Sequence, residues 1–322
     1  MVAPAAKASQ FERILVTGAT GFLGSHVVPA LREELDAKII PVGSENYDLL
    51  DGQKIERMLE DNEPDAVVHL AAKVGGIIAN RDLPADFFYE NVMINTQVFD
   101  ACFRFGVKKF LTFMGGCAYP ADAESPISED KMWDGFPQFE SAPYSVAKKI
   151  VLVQSESYRR QHGFNSVVLI PGNVYGEHDN FKESESHVIP ALIRRFVEAK
   201  ESGASEVSCY GSGKPERDFV YAGDIGKLVP WFLANYDASE PVNLSTGVHT
   251  SIRTLAETIK EIVGFDGEIR WDTDKPEGML IKIFGADRLR ALGLACDTPL
   301  DKGLRTTVDW FLAARAEGKV RL

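Results

Sequence analysis

Short apolar, β-branched runs alternate along the first half of this chain with longer segments whose apolar positions recur every three or four residues. ILVTG (14–18), KIIPVG (38–43), AVVHLAA (66–72), KKFLTFMG (108–115) and SVVLIPG (166–172) read as strands. Between them GSHVVPALREEL (24–35), DGQKIERMLEDN (51–62), FFYENVMINTQVFDACFRFG (87–106) and a segment from about Pro143 to His162 carry helical spacing. Strands that are apolar on both faces, each followed by a helix, predict an α/β fold with a doubly wound parallel sheet. After Gly176 the regularity weakens. GEHDNFKESES (176–186) is polar and loop-like, VIPALIRRFVEAK (188–200) is helical, and EVSCYG, FVYA and VNLST are short strands among the helices IRTLAETIKEIV and LRTTVDWFLAAR. The expected organisation is a first domain over 1–176, with a return segment near 218–247, and a smaller C-terminal α/β lobe over 177–322 that binds substrate.

Composition narrows the function classes. A 45% hydrophobic and 25% charged chain of 322 residues is ordinary for a globular protein. Its 35 basic and 47 acidic residues give a net charge of −12, the wrong sign for releasing counterions from nucleic acid. A small phosphate-bearing ligand needs only a few local cations and stays open. No apolar stretch reaches the roughly 18–20 residues that span a bilayer, so no membrane partner is expected. The opening MVAPAAKASQFER lacks a long apolar run and reads as a short leader. Cys102, Cys117, Cys209 and Cys296 are scattered without metal-ligand spacing, which points to no metal and to a reducing cytoplasm.

Two motifs carry chemistry. Thr17-Gly18-Ala19-Thr20-Gly21-Phe22-Leu23-Gly24 falls between the first strand and first helix, where glycines allow a tight turn and close approach of a pyrophosphate to the helix N-terminus. That placement marks a dinucleotide-binding Rossmann sheet. After the second strand, Val42-Gly43-Ser44-Glu45-Asn46 offers neither the Asp that favours NAD nor the Arg that favours NADP; Ser44 could bond a 2′-phosphate or simply turn the chain. Further on, Tyr144-Ser145-Val146-Ala147-Lys148 puts Tyr144 and Lys148 one turn apart on a helix face. A lysine ammonium and an oxidised nicotinamide would lower the tyrosine pKa towards neutrality and make the pair a proton-transfer device.

The glycine loop with YSVAK resembles the extended short-chain dehydrogenase/reductases, which work mostly on nucleotide sugars. Within them the chain is similar to the GDP-L-fucose synthase family, the GDP-4-keto-6-deoxymannose 3,5-epimerase/4-reductases. AAKVGGIIAN (71–80), PADFFYENVMI (84–94), HDNF with SHVIPALIRRF (178–196) and GSGKPERDF (211–219) carry this match, which extends from about residue 14 to about 318. The resemblance implies catalytic roles for Tyr144 and Lys148, and for Cys117 and His187 as the epimerising proton-transfer pair. It implies cofactor contacts from Gly18, Thr20, Gly21, Phe22, Leu23, Gly24, Ser44, Asp51, Ala71, Lys148 and Asn173. Arg195, Tyr210, Arg217 and Lys282 would bind the substrate. The implied ligands are NADP(H), ahead of NAD(H), and a GDP-linked or other nucleotide-diphosphate sugar, in a homodimer packed through helices around 88–105 and 144–161.

Three positions depart from the family pattern. Gly115 stands where a serine joins the tyrosine and lysine in binding the carbonyl oxygen, and Thr112, the nearest hydroxyl upstream, is three residues away. Losing such a donor costs about 10²–10³ in rate. A backbone N–H or water could replace it, reduction could be lost while epimerisation persists, or the substrate could differ. Thr20 and Ser44 replace the two NADP-selective arginines, and Gly285 replaces a polar residue in a loosely matching segment. The leading expectation is a 3,5-epimerase/4-reductase of a GDP-linked 4-keto-6-deoxyhexose. A redox-neutral epimerase with bound NAD and a non-catalytic dinucleotide sensor are the alternatives.

Overall fold

A computed structural model describes residues 10–182, 185–274 and 279–322. The leader before Gln10, residues 183–184 of the polar loop and 275–278 of the loosely matching segment lie outside the described residues. β1 (Arg13–Thr17) leads into α1 (Phe22–Glu34), β2 (Lys38–Val42) into α2 (Gly52–Asn62), and β3 (Ala66–His69) into α3 (Ile77–Asp82) and α4 (Pro84–Arg104). β4 (Lys109–Phe113) passes through short 3-10 turns to α5 (Ala142–His162), followed by β5 (Asn165–Pro171) and β6 (Asn173–Tyr175). Then come α6 (Val188–Ser202), β7 (Glu206–Tyr210), β8 (Glu216–Arg217), β9 (Phe219–Tyr221), α7 (Ala222–Asn235), β10 (Val242–Leu244) and β11 (Thr250–Ser251). The chain finishes with α8 (Ile252–Val263), β12 (Glu268–Asp272), β13 (Ile281–Lys282), α9 (Asp287–Ala291) and α10 (Leu300–Ala316).

The main sheet has six parallel strands in the order β10-β5-β4-β3-β1-β2. Its strands feed both faces because side chains alternate. Ile14, Val16 and Val68 join Val27, Leu31, Ile225, Val229 and Phe232 of α1 and α7 in one core. Leu15, Val67 and Phe110 join Ile55, Met58, Phe99 and Val151 of α2, α4 and α5 in the other. Apolar side chains on both faces explain why these strands read as unbroken apolar runs. Strand order reverses at β1, between β2 and β3, and a crevice at such a switch point is where open α/β sheets bind ligands.

A third core is gathered by the smaller lobe, from Ile189, Ile193 and Phe196 of α6, Val207 of β7, Leu255 and Ile259 of α8, and Val308 and Phe311 of α10. β7 and β12 form a parallel pair there, and β8 is flanked by β11 and β13. The chain crosses back between these lobe elements, since α7 packs along α1 and β10 pairs with β5 at the sheet edge. No described helix is long and apolar enough to cross a membrane.

Candidate active site

The site begins at the strand-order reversal. Gly18 has φ +67°, a left-handed conformation that favours glycine, and a Cβ there would lie 2.7 Å from the Ala71 backbone nitrogen. A Cβ on Gly24 would lie 2.4 Å from the Ala19 carbonyl oxygen. The loops after β1 and β3 therefore close on each other, and α1 packs tightly beneath them. Gly21 caps α1 with no side-chain hydrogen bond, so the first-turn N–H groups of Phe22, Leu23 and Gly24 are offered to an anion. This cradle fits a dinucleotide pyrophosphate. His69, which the sequence reading did not single out, supports it: Thr17 Oγ1 and His69 Nδ1 are 2.7 Å apart in the core. Burial and then the Lys148 charge push the His69 pKa down to about 3, so the ring is neutral. A histidine inside an otherwise apolar strand run was the available signal.

Other proposed cofactor contacts separate by environment. Asn173 donates from Nδ2 to the Asp218 carbonyl at 2.9 Å, and fully buried Asp218 lies 2.7 Å from Ser245 Oγ. This network ties β6 to the segment leading into β9 and to the residue after β10. Thr20 is exposed on the glycine loop, and Ser44 is exposed in the turn after β2. Asp51 caps α2, its carboxylate accepting from the N–H groups of Gln53 and Lys54.

Tyr144 and Cys117, two of the residues expected to transfer protons, meet at Gly115, just beyond the end of β4. A Cβ built on Gly115 lies 3.1 Å from Cys117 Sγ and 3.8 Å from Tyr144 Oη. Thr112 cannot substitute for the missing serine, since its hydroxyl is buried and bonds the His69 carbonyl at 3.3 Å. Tyr144 and buried Lys148 rise from α5, whose Pro143 occupies its first turn where no N–H is needed. The protein's own groups shift the Tyr144 pKa in the opposite direction to the expected lowering, which also draws on the charge of an oxidised nicotinamide. Burial raises it, with Cys117 adding to the rise, and Lys148 is itself lowered by burial to about 8. Tyr144 thus holds its proton at neutral pH.

His187 is the N-cap residue of α6. The residue is exposed, and desolvation by the protein beside it lowers its pKa below the ordinary 6.5. The loop before it reaches the β3 side of the site, where Gly76 N–H donates to the Glu185 carbonyl at 3.1 Å. Lys282 and Arg217 are register partners on β13 and β8. Burial lowers both cations, and Cys117 opposes that lowering at Lys282, so this pair lies on the Cys117 side of the site. Arg217 Nη1 donates to the carbonyls of Glu216 and Met279. Arg195 and Tyr210 form a separate group in the smaller lobe, with the guanidinium 4.6 Å from the ring centroid.

A glycine cradle at the strand-order reversal, with a helix-borne tyrosine and lysine beside it, defines a nicotinamide-dinucleotide enzyme of the short-chain type. The model of the NAD dependent epimerase/dehydratase family matches residues 14–245, and the chain belongs to that family. It is 38% identical over 300 residues to GDP-L-fucose synthase 1 of Arabidopsis thaliana, covering 93% of each chain. A GDP-L-fucose synthetase from Naegleria fowleri bound to NADP superimposes with a TM-score of 0.88 at 32% identity, over 97% of this chain and 96% of that one. A GDP-6-OMe-4-keto-L-xylo-heptose reductase from C. jejuni also gives 0.88, at 26% identity over 94% and 98% of the two chains.

Proposed function

We propose that this chain is a 3,5-epimerase/4-reductase of a GDP-linked 4-keto-6-deoxyhexose that uses NADP(H). The observation that carries the reading is the convergence of Tyr144 Oη and Cys117 Sγ on Gly115, beside the dinucleotide cradle. The glycine loop, Ala71, Asn173 and Lys148 hold the cofactor. Bound NADPH supplies the hydride for C4.

The C4 ketone acidifies the protons on C3 and C5. Cys117 and His187 exchange those protons with the two faces of the sugar, through enediolates. Neutral His187 is able to accept a proton at pH 7, as its lowered pKa requires. Tyr144 then gives its proton to the C4 oxygen as the carbonyl is reduced. Burial that keeps the phenol protonated suits the reductive direction, where an acid is needed. Lys148 holds the nicotinamide ribose and offsets the phenolate left behind. Arg217 and Lys282 face the anionic and polar parts of the nucleotide sugar, and Arg195 with Tyr210 extends that surface.

Gly115 favours one competing reading, a redox-neutral epimerase, because the reduction loses a hydroxyl donor there. Incubation with GDP-4-keto-6-deoxymannose and NADPH in deuterated water separates them. The proposed enzyme oxidises NADPH stoichiometrically and incorporates deuterium at C3 and C5. Incorporation without oxidation establishes the redox-neutral epimerase, and neither event overturns both. The four cysteines are free thiols, in keeping with action in a reducing cytoplasm; the proposed assembly is a homodimer joined through α4 and α5.

A further inference from the structure

The dinucleotide cradle is short of positive charge. Residues 17–24 carry no cationic side chain, and neither does the turn after β2, residues 43–47. The Glu45 carboxylate folds over Gly43, within 2.4 Å of where a Cβ would lie. A cofactor with a pyrophosphate and a 2′-phosphate would find backbone N–H groups there and a carboxylate nearby. Neutralising such a ligand normally draws on a guanidinium.

One guanidinium reaches the loop from the other end of the chain. After α10 the backbone turns back at Gly318 and Lys319 N–H bonds the Ala314 carbonyl, while Val320 packs against the core of the smaller lobe. The Arg321 carbonyl then accepts from Phe181 N–H at 3.1 Å, which pins the tail backbone. From there Arg321 Nη2 donates to the Thr20 carbonyl oxygen at 3.0 Å, across 301 positions of sequence. Thr20 immediately precedes Gly21, the N-cap residue of α1.

Arg321 is exposed and, among the described residues, has no carboxylate within ion-pair distance. Buried Asp179 feels its charge; Asp179 Oδ1 accepts from the Asn180 N–H at 2.7 Å, and Oδ2 has no hydrogen-bond partner among the described residues. Arg carries five N–H donors, and the Thr20 carbonyl occupies one of them. Such a fork, anchored by its own backbone beside a helix N-terminus, has the chemistry of a phosphate clamp.

We infer that Arg321 is a cofactor-binding residue whose guanidinium contacts a phosphate of the dinucleotide, making the C-terminal tail part of the cofactor site. The inference rests on the NADP(H) reading above. It is tested by titrating NADP⁺ and NAD⁺ calorimetrically into the full-length natural chain, Arg321→Gln and Arg321→Lys, at two salt concentrations. Arg321→Gln is expected to weaken NADP⁺ by about tenfold or more, the scale of a charge-assisted hydrogen bond, with a shallower salt dependence. Arg321→Lys should recover part of that loss.

Loss confined to NADP⁺ assigns the contact to the 2′-phosphate, and loss shared by NAD⁺ assigns it to the pyrophosphate. Equal binding by the natural chain and Arg321→Gln overturns the inference alone. So does a weakening with unchanged salt dependence, because Arg321 would then act only as a latch on the glycine loop. Failure of the natural chain to bind either dinucleotide overturns the cofactor reading together with it.

Discussion

At the scale of single residues, the unusual position is Gly115. Its Cβ site is 3.1 Å from Cys117 Sγ, so a side chain fits there if the thiol yields by a few tenths of an ångström. A serine hydroxyl would then point into the space shared with Tyr144. Gly115→Ser is expected to raise the rate of NADPH oxidation by about tenfold or more, up to the 10²–10³ that one oxyanion donor is worth. Deuterium exchange at C3 and C5 should stay level or fall as Cys117 is crowded. An unchanged oxidation rate would mean that a backbone group or water already fills the donor role. A second expectation concerns Lys148, whose pKa of about 8 lies far below that of an exposed lysine. Above that value the ammonium loses its proton, and with it the charge that holds the ribose and offsets the phenolate. The pH profile of kcat/KM for reduction should be flat up to about pH 8 and then fall, since kcat/KM reports groups of the free enzyme. A flat profile to pH 9.5 would remove Lys148 from that role.

Elements show what periodicity encodes and what it leaves out. α5 and α8 were legible because apolar spacing persists over three or more turns, and the buried strands because both faces are apolar. β8, β11 and β13 are two residues each, too short for any period, and exist only through pairing between distant segments. Asp51 illustrates the same divide at an element boundary. The resemblance implies a cofactor contact, and the fold gives its carboxylate the N-terminus of α2 to complete. Asp51→Ala should therefore cost about 1 kcal/mol of stability through the lost cap, seen as a lower melting temperature. Its dissociation constant for NADP⁺ should match that of the natural chain. A weakened constant with an unchanged melting temperature would reverse that assignment.

Across the whole molecule, the glycine loop and YSVAK could be read because each motif is contiguous. The supporting contacts could not. Thr17 meets His69, Asn173 meets Asp218, and Arg321 meets Thr20, through folding that brings together positions tens to hundreds of residues apart. A polar residue in an apolar run announces its burial, and only the fold supplies its partner. Association between copies belongs to this scale too. α4 and α5 pack against each other through Phe99, Phe103 and Tyr158, yet their other surfaces leave Phe88, Tyr89 and Val153 solvent-exposed. Two such helix pairs brought face to face would bury these side chains in a four-helix arrangement. Val153 is 53% exposed on α5, so a charge there costs the isolated fold little. At a dimer interface the same charge would be desolvated without a partner, at a cost of several kcal/mol. In light scattering coupled to size exclusion, the natural chain is expected to run as a dimer and Val153→Glu as a monomer with an unchanged circular dichroism spectrum. A monomeric natural chain, or a dimer that survives the substitution, would place any association on another surface.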